Sequence, residues 1–246
     1  LGNNHTVGII LPDKPRDVEP KDFYGRGKRY KVLWLLHGTF GDYSDWIRKS
    51  MIELYACEND LIVVMPSAMN SIYENWPDFG LGFNMWDYFF EELMPVVYNW
   101  FPASDKREDN FIAGLSMGGY GALRNGLKYA EIFGYVAGLS SALIYAGLKD
   151  SDNSAPVFTF RRQYYEAIFG DLEHIVGSDK DPKALFRKLR EENRPLPKLY
   201  MCCGTEDSLL AANRDLRDDL LANGADLTYE EGPGGHDWVF WDTYIR

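Results

Sequence analysis

The chain has 246 residues, of which 46% are hydrophobic, and a formal net charge of −11 at pH 7. This length and apolar content predict one domain, residues 1–246, with a substantial core, while the negative charge argues against nucleic acid or an anionic membrane surface as a partner. No run of 18 apolar residues and no charged-then-apolar leader is present, which predicts a soluble protein.

Three cysteines, Cys57, Cys202 and Cys203, give an odd count, and two of them are adjacent in an apolar run. The two adjacent cysteines are typical of small buried side chains rather than of disulfides or a metal site, which favours a reducing compartment. We therefore expect a cytoplasmic protein, or a secreted one if a leader was removed before Leu1. No metal-ligand cluster and no dinucleotide or P-loop glycine pattern occurs, so no metal and no cofactor is expected.

Strand-like and helix-like segments alternate along the chain. Apolar runs predict strands at 7–11, 30–36, 61–66, 110–113, 133–139, 198–203 and 225–230. Helices are predicted at 44–57, 88–100, 122–129, 209–222 and from 237 onward. This alternation predicts an α/β fold with a mostly parallel central sheet and helices on both faces.

The motif Gly114-Leu115-Ser116-Met117-Gly118 joins the strand at 110–113 to the helix at 122–129. A serine on such a strand-to-helix turn is the nucleophile elbow of the α/β-hydrolase fold. Glycines two positions before and after the serine are expected because larger side chains would clash in so sharp a turn. The alternative is a glycine-rich turn with an incidental serine, but the flanking strand and helix favour the elbow.

A serine hydroxyl is a weak nucleophile and needs a histidine base oriented by a carboxylate. His236 is the candidate base because it follows the last predicted strand in a glycine-rich loop, at the sheet end where Ser116 should emerge. Asp207 is the candidate acid, since it follows the strand at 198–203 and gives the order serine, aspartate, histidine that α/β-hydrolases share. Its neighbour Glu206 is the rival.

The loop after the strand at 30–36 should supply one oxyanion-hole amide, and the residue after the nucleophile should supply the other. We assign these roles to the backbone amides of Thr39 and Met117, with Phe40 as the alternative to Thr39. His37 is expected to support this loop by hydrogen bonding rather than to act in catalysis.

Residues from about 141 to 195 interrupt the alternation and form a stretch longer than one crossover helix needs. It is rich in aromatic residues and has helix-like pieces near 160–169 and 182–190. Long insertions over the carboxyl ends of strands often shape substrate pockets, so we predict a cap at 141–195. An ordinary pair of surface helices is the alternative.

Five segments together resemble the bacterial esterase D-like carboxylesterases, a group that includes tributyrin, acetyl xylan and feruloyl esterases and S-formylglutathione hydrolases. The segments are 35–38 with Asp42 and Trp46, 61–66, 111–121, 203–207 and 235–238. The likeness runs from residue 7 to the end and is strongest to the tributyrin or acetyl esterase branch. It implies the same triad of Ser116, Asp207 and His236, and it implies that Trp46 lines or supports the substrate pocket, where Phe40 is also expected.

These residues predict a serine carboxylesterase that hydrolyses short acyl esters, such as acetyl and butyryl esters, through an acyl-enzyme. A feruloyl or other cinnamoyl esterase, or an S-formylglutathione hydrolase-like thioesterase, is the alternative. Acyl transfer stays open, while a purely binding protein of this fold would be expected to lack a triad member. The expected partner is a small-molecule or carbohydrate-linked ester substrate, and a second copy of the chain, in a homo-oligomer, is the other partner considered.

Overall fold

The computed structural model describes residues 4–25, 27–77 and 83–246. The sequence also predicts a loop at 70–84, rich in Asn, Trp and Gly, and part of it lies outside these ranges. Within them, one sheet has the order β1-β3-β2-β4-β5-β6-β7. The strands are β1 (Val7–Ile10), β2 (Lys31–Leu36), β3 (Leu61–Pro66), β4 (Asn110–Leu115), β5 (Tyr135–Leu139), β6 (Lys198–Gly204) and β7 (Leu227–Gly232). Only β1 pairs antiparallel in this described sheet, so the predicted mostly parallel sheet is confirmed.

Helices connect these strands and complete the alternation. They are α1 (Pro20–Tyr24), α2 (Asp45–Lys49), α3 (Ile52–Glu58), α4 (Met85–Asp87), α5 (Met94–Trp100), α6 (Met117–Lys128), α7 (Arg162–Phe169), α8 (Pro182–Glu191), α9 (Leu210–Ala222) and α10 (Trp238–Tyr244). A π-helical segment, Tyr88–Leu93, joins α4 to α5, and 3₁₀ turns lie at Arg107–Asp109, Tyr145–Asp150, Phe158–Phe160 and Leu172–His174. In the described chain, no helix is long and apolar enough to cross a membrane.

Alternate residues of β2 enter two separate cores, because successive side chains of a strand point to opposite faces of the sheet. On one face Trp34 packs in the same core as Leu123 of α6. On the other face Leu35 packs in a core with Trp46 of α2 and Phe240 of α10. Helices therefore cover both faces of the sheet, as the alternation predicts.

The single helix predicted at 44–57 is wrong, because the chain forms α2 and α3 with a break between them. At the break Ser50 is extended, with φ −142° and ψ 174°. Its hydroxyl donates to the Trp46 carbonyl and accepts a hydrogen bond of 3.3 Å from the Ile52 amide. A serine side chain that bonds the backbone in this way competes with continued helix.

Candidate active site

Ser116 lies between β4 and α6 in a left-handed backbone conformation, with φ 53° and ψ −116°. Such a conformation is strained for a residue with a Cβ atom, and it is typical of a nucleophile on a sharp turn. A Cβ atom on Gly114 would overlap the Gly118 carbonyl, and one on Gly118 would overlap the Leu36 carbonyl. Both glycines are therefore required for the strand and the helix to approach each other.

His236 connects this serine to Asp207. Its Nε2 atom lies 2.9 Å from the Ser116 Oγ, and its Nδ1 atom lies 2.8 Å from the Asp207 Oδ2. Because a carboxylate only accepts hydrogen bonds, this contact assigns the proton of the neutral imidazole to Nδ1 and leaves Nε2 free to accept from the hydroxyl. A continuous hydrogen-bond chain thus runs from the serine to the aspartate.

The surroundings of Asp207 and His236 hold both side chains in one orientation. The Asp207 side chain is buried, and its second oxygen, Oδ1, accepts a hydrogen bond of 2.8 Å from the Leu209 amide. The ring of Trp241 meets the imidazole edge to face, with 4.9 Å between ring centroids. A carboxylate with both oxygens occupied and a packed ring leave the imidazole little freedom to turn.

Glu206, the rival acid, faces a different group. Its carboxylate accepts a hydrogen bond from the Gly234 amide, which lowers the pKa of this glutamate below its ordinary value. Its own amide donates to the Gly234 carbonyl over 3.1 Å. Glu206 therefore ties the loop that carries His236 to the end of β6, while Asp207 is the carboxylate that contacts the imidazole.

Two backbone amides beside the serine are unoccupied. Within the described residues, neither the Thr39 amide nor the Met117 amide donates a hydrogen bond inside the chain. The Phe40 amide, by contrast, donates to the Asn70 Oδ1 over 2.8 Å. Free donors suit an oxyanion hole, so this geometry favours Thr39 over Phe40 as the first donor.

His37 supports the loop from inside the core, as the sequence predicts. It is buried, its Nδ1 lies 2.7 Å from the Gly38 carbonyl, and its Nε2 accepts from the Ala68 amide over 2.9 Å. Burial is also the main cause that lowers the pKa of His37, which keeps the ring neutral. Both ring nitrogens of His37 therefore make hydrogen bonds within the chain, and neither is free to act as a catalytic base.

A cavity of about 540 Å³ opens over Ser116 and His236, and its walls are mostly apolar and aromatic. Loops at the strand ends contribute Thr39, Phe40 and Leu209, and α10 contributes Trp238 and Trp241. The chain between 142 and 165 contributes Ala142, Ile144, Thr159, Phe160, Tyr164 and Tyr165. Of the charged residues in the wall, Asp45 and Lys49 pair with each other over 3.0 Å.

The two residues expected to contact substrate lie in different places. Phe40 is in the cavity wall and is 66% exposed. Trp46 is not part of this wall among the described residues; it is buried, and its Nε1 donates to the Leu36 carbonyl over 3.1 Å. Its ring packs edge to face on Trp238 with 5.1 Å between centroids. Of the two roles expected for Trp46, lining or supporting the pocket, lining is therefore corrected: Trp46 packs behind Trp238, which lines the cavity.

Sequence reasoning missed several wall residues, among them Ile72, Trp238 and Trp241. The two tryptophans had a detectable signal, since they lie three residues apart directly after His236 and so share a helix face. Ile72 had none, because it reaches the cavity through a left-handed turn (φ 56°) that its residue type does not predict.

A protein-family model described as "Putative esterase" matches residues 1–245. The chain belongs to this esterase family. An acetyl esterase of Caldicellulosiruptor saccharolyticus is 43% identical, and the match covers 100% of this chain and 91% of that relative. The resemblance drawn from the sequence motifs is thus confirmed at the level of the family.

Solved structures agree with this assignment of the esterase. The fluorophosphonate-binding serine hydrolase FphF of Staphylococcus aureus superposes with a TM-score of 0.81 at 34% identity, over 97% of this chain and 88% of that one. An S-formylglutathione hydrolase (FrmB) of the same organism has a TM-score of 0.80 at 34% identity, over 98% and 89% of the two chains. The esterase therefore has the α/β-hydrolase fold and is a carboxylic ester hydrolase.

Proposed function

We propose that the esterase cleaves short-chain acyl esters with Ser116 as nucleophile, His236 as general base and Asp207 as the acid that orients the base. The observation that carries this proposal is the hydrogen-bond chain of 2.9 Å and 2.8 Å through the two imidazole nitrogens. These lengths are within reach for proton transfer from the hydroxyl without rearrangement.

The reaction follows from these contacts. Ser116 Oγ attacks the ester carbonyl as its proton passes to the His236 Nε2, and the free amides of Thr39 and Met117 stabilise the oxyanion. As the carbonyl reforms, the imidazolium gives its proton to the departing alkoxide and the alcohol leaves. Water then attacks the acyl-enzyme by the same route, which releases the acid and restores the serine.

Short acyl groups are the first candidates for the substrate. The acetyl esterase relative, which is 43% identical, supports this choice. We further propose that residues 142–165 form the cap that shapes the cavity, because six of their side chains line it. Residues 166–195 of the predicted insertion do not line this cavity, and their helix α8 packs against α6 and α9 instead.

A cinnamoyl ester such as a ferulate is the second candidate. Its support is the aromatic character of the cap side of the cavity, where Phe160, Tyr164 and Tyr165 offer ring surface to an aromatic acyl group. An acetylated carbohydrate and S-formylglutathione, assayed beside the esters named below, test whether the alcohol part is a carbohydrate and whether a thioester is also cleaved.

The test is the initial rate on p-nitrophenyl acetate, butyrate and octanoate beside methyl ferulate, for the wild type and Ser116→Ala. Loss of the nucleophile should lower kcat by about 10⁶-fold while the unfolding temperature stays unchanged. Ser208→Ala is the matched control, since it removes another hydroxyl from the same cavity wall and should stay within a few-fold of the wild-type rate. Turnover by Ser116→Ala near the wild-type rate would refute the proposed mechanism, and faster cleavage of ferulate than of acetate or butyrate would favour the second candidate.

A further inference from the structure

The catalytic cavity is separated from a second void by a thin wall. Ile72, Ala142 and Ile144 line both spaces. The void has a volume of about 10 Å³ and is enclosed on its far side by Met117, Tyr120, Tyr145 and Phe169, all of them buried. A space of this size is at the lower limit for a single water, and its mostly apolar lining disfavours one, so it is a packing gap behind the wall.

Ile72 enters the wall in a conformation that is unfavourable for its residue type. Its φ is 56° and that of Tyr73 is 57°, whereas a β-branched residue strongly avoids this left-handed region. The segment is held there from both sides: the Tyr73 hydroxyl donates to the His37 carbonyl over 3.1 Å, and the Asn125 side chain donates to the Tyr73 carbonyl over 3.4 Å. Strain that neighbouring contacts hold in place is found mostly at functional sites.

The two parts of the ester, the acyl chain and the alcohol, leave the reacting carbonyl in different directions, and this decides which of them meets the wall. The departing alkoxide must face the His236 Nε2 to receive a proton, so the alcohol part lies on the side of Trp238 and Leu209. The acyl chain then extends away from the imidazole. The wall adjoins the nucleophile, because the Ala142 amide donates to the Ser116 carbonyl over 2.9 Å, and we take it to be the surface that the acyl chain meets.

We call the part of the cavity that receives the acyl chain the acyl arm. We propose that Ile72 and Ile144 close the far end of the acyl arm and set the longest acyl chain that the esterase accepts. This inference rests on the proposed function, because it takes Ser116 as the acylated residue. Trimming either side chain opens the arm into the void behind it. The chain-length preference then shifts toward longer esters, although the catalytic groups themselves are unchanged.

The test compares kcat/KM for p-nitrophenyl octanoate with that for the butyrate in Ile144→Ala, Ile72→Gly and the double variant. Each single variant should raise the octanoate-to-butyrate ratio at least about tenfold, since a pocket discriminates by roughly tenfold or more for a missing methylene. Glycine is chosen at position 72 because it adopts a positive φ without strain. Ile132→Ala, which removes the same atoms at a site that lines neither space, should leave the ratio unchanged.

A variant with a larger side chain should shift the chain-length preference in the opposite direction, toward shorter esters. It keeps the proposal testable if the variants with smaller side chains do not fold. Ile144→Phe should shorten the arm and lower the butyrate-to-acetate ratio by about tenfold. Unchanged ratios in the trimmed variants that still cleave acetate, or an unchanged ratio in Ile144→Phe, would overturn the role of the wall. Failure of the proposed function has a different signature, namely ester cleavage in Ser116→Ala equal to that of the wild type.

Discussion

Replacement of Asp207 by asparagine separates the orienting role of this residue from its structural role. Asp207 accepts two hydrogen bonds, from the His236 Nδ1 and from the Leu209 amide, each 2.8 Å long. Asparagine has one acceptor and one donor. If its oxygen faces His236, its NH₂ group meets the Leu209 N–H as a second donor in a buried site, which costs about 1–3 kcal/mol.

The other orientation of the asparagine satisfies both contacts and is therefore the expected one. Its oxygen accepts from the Leu209 amide, and its NH₂ group donates to the His236 Nδ1. The imidazole proton must then move to Nε2, which can no longer accept the Ser116 proton. We expect kcat to fall by about four orders of magnitude, or about 5 kcal/mol of transition-state stabilisation, with little change in the stability of the fold.

The assay is kcat on p-nitrophenyl acetate together with the thermal unfolding midpoint. Asp237→Asn is the matched control. Asp237 Oδ1 caps α10 through a hydrogen bond of 3.0 Å from the Phe240 amide, and asparagine caps equally well; the Asp237 Oδ2 accepts only a long, exposed hydrogen bond of 3.4 Å from the Gly235 amide. A folded Asp207→Asn variant within tenfold of the wild-type rate would refute the orienting role. A large loss in Glu206→Gln at the same time would move that role to Glu206.

Two further predictions concern the fold. Gly118→Ala should destabilise the protein by about 1–3 kcal/mol and abolish ester hydrolysis, because its Cβ atom would overlap the Leu36 carbonyl; a wild-type denaturant midpoint would contradict this. Hydrogen bonding from Arg214 lowers the pKa of Glu231 to about 2 from an ordinary value of 4.5, so this pair stabilises the fold above about pH 4.5 and less as the pH falls toward 2. The free energy of unfolding of Glu231→Gln, measured by urea titration, should accordingly lie below that of the wild type at pH 7, by no more than about 1 kcal/mol for a surface pair. A difference in this free energy that does not shrink between pH 5 and pH 3 would contradict the argument.

Local constraints made much of the site predictable. The elbow needs a glycine two positions before and two positions after the serine, so a motif of five consecutive residues is enough to predict it. The structure has Ser116 at the turn between β4 and α6. The order of strands and helices is likewise carried by short periodic runs. Even so, the break at Ser50 was missed, because it depends on one hydroxyl bonding the backbone on both sides.

Contacts between distant segments had to be read from the tertiary structure. Glu206 and Asp207 are adjacent and chemically alike, and their different partners depend on how the loop carrying His236 docks against the end of β6. The Phe40 amide is occupied only because Asn70, 30 residues away, folds back onto it. In the same way, Trp46 lies behind Trp238 rather than in the cavity, since the packing of α2 against α10 decides which ring faces the substrate side.

The sequence by itself therefore indicated the fold class, the proposed nucleophile and the candidates for its partners, because the geometry of the turn and the succession of strands and helices along the chain follow from short local runs of residues. The tertiary structure decided which carboxylate contacts the imidazole and which side chains wall the cavity. Ile72 is the clearest case: an isoleucine gives no sign of a left-handed turn, and its place in the wall follows from hydrogen bonds that Tyr73 makes to the β2–α2 loop and to α6. Such placement depends on residues far apart in the chain, which no local pattern records.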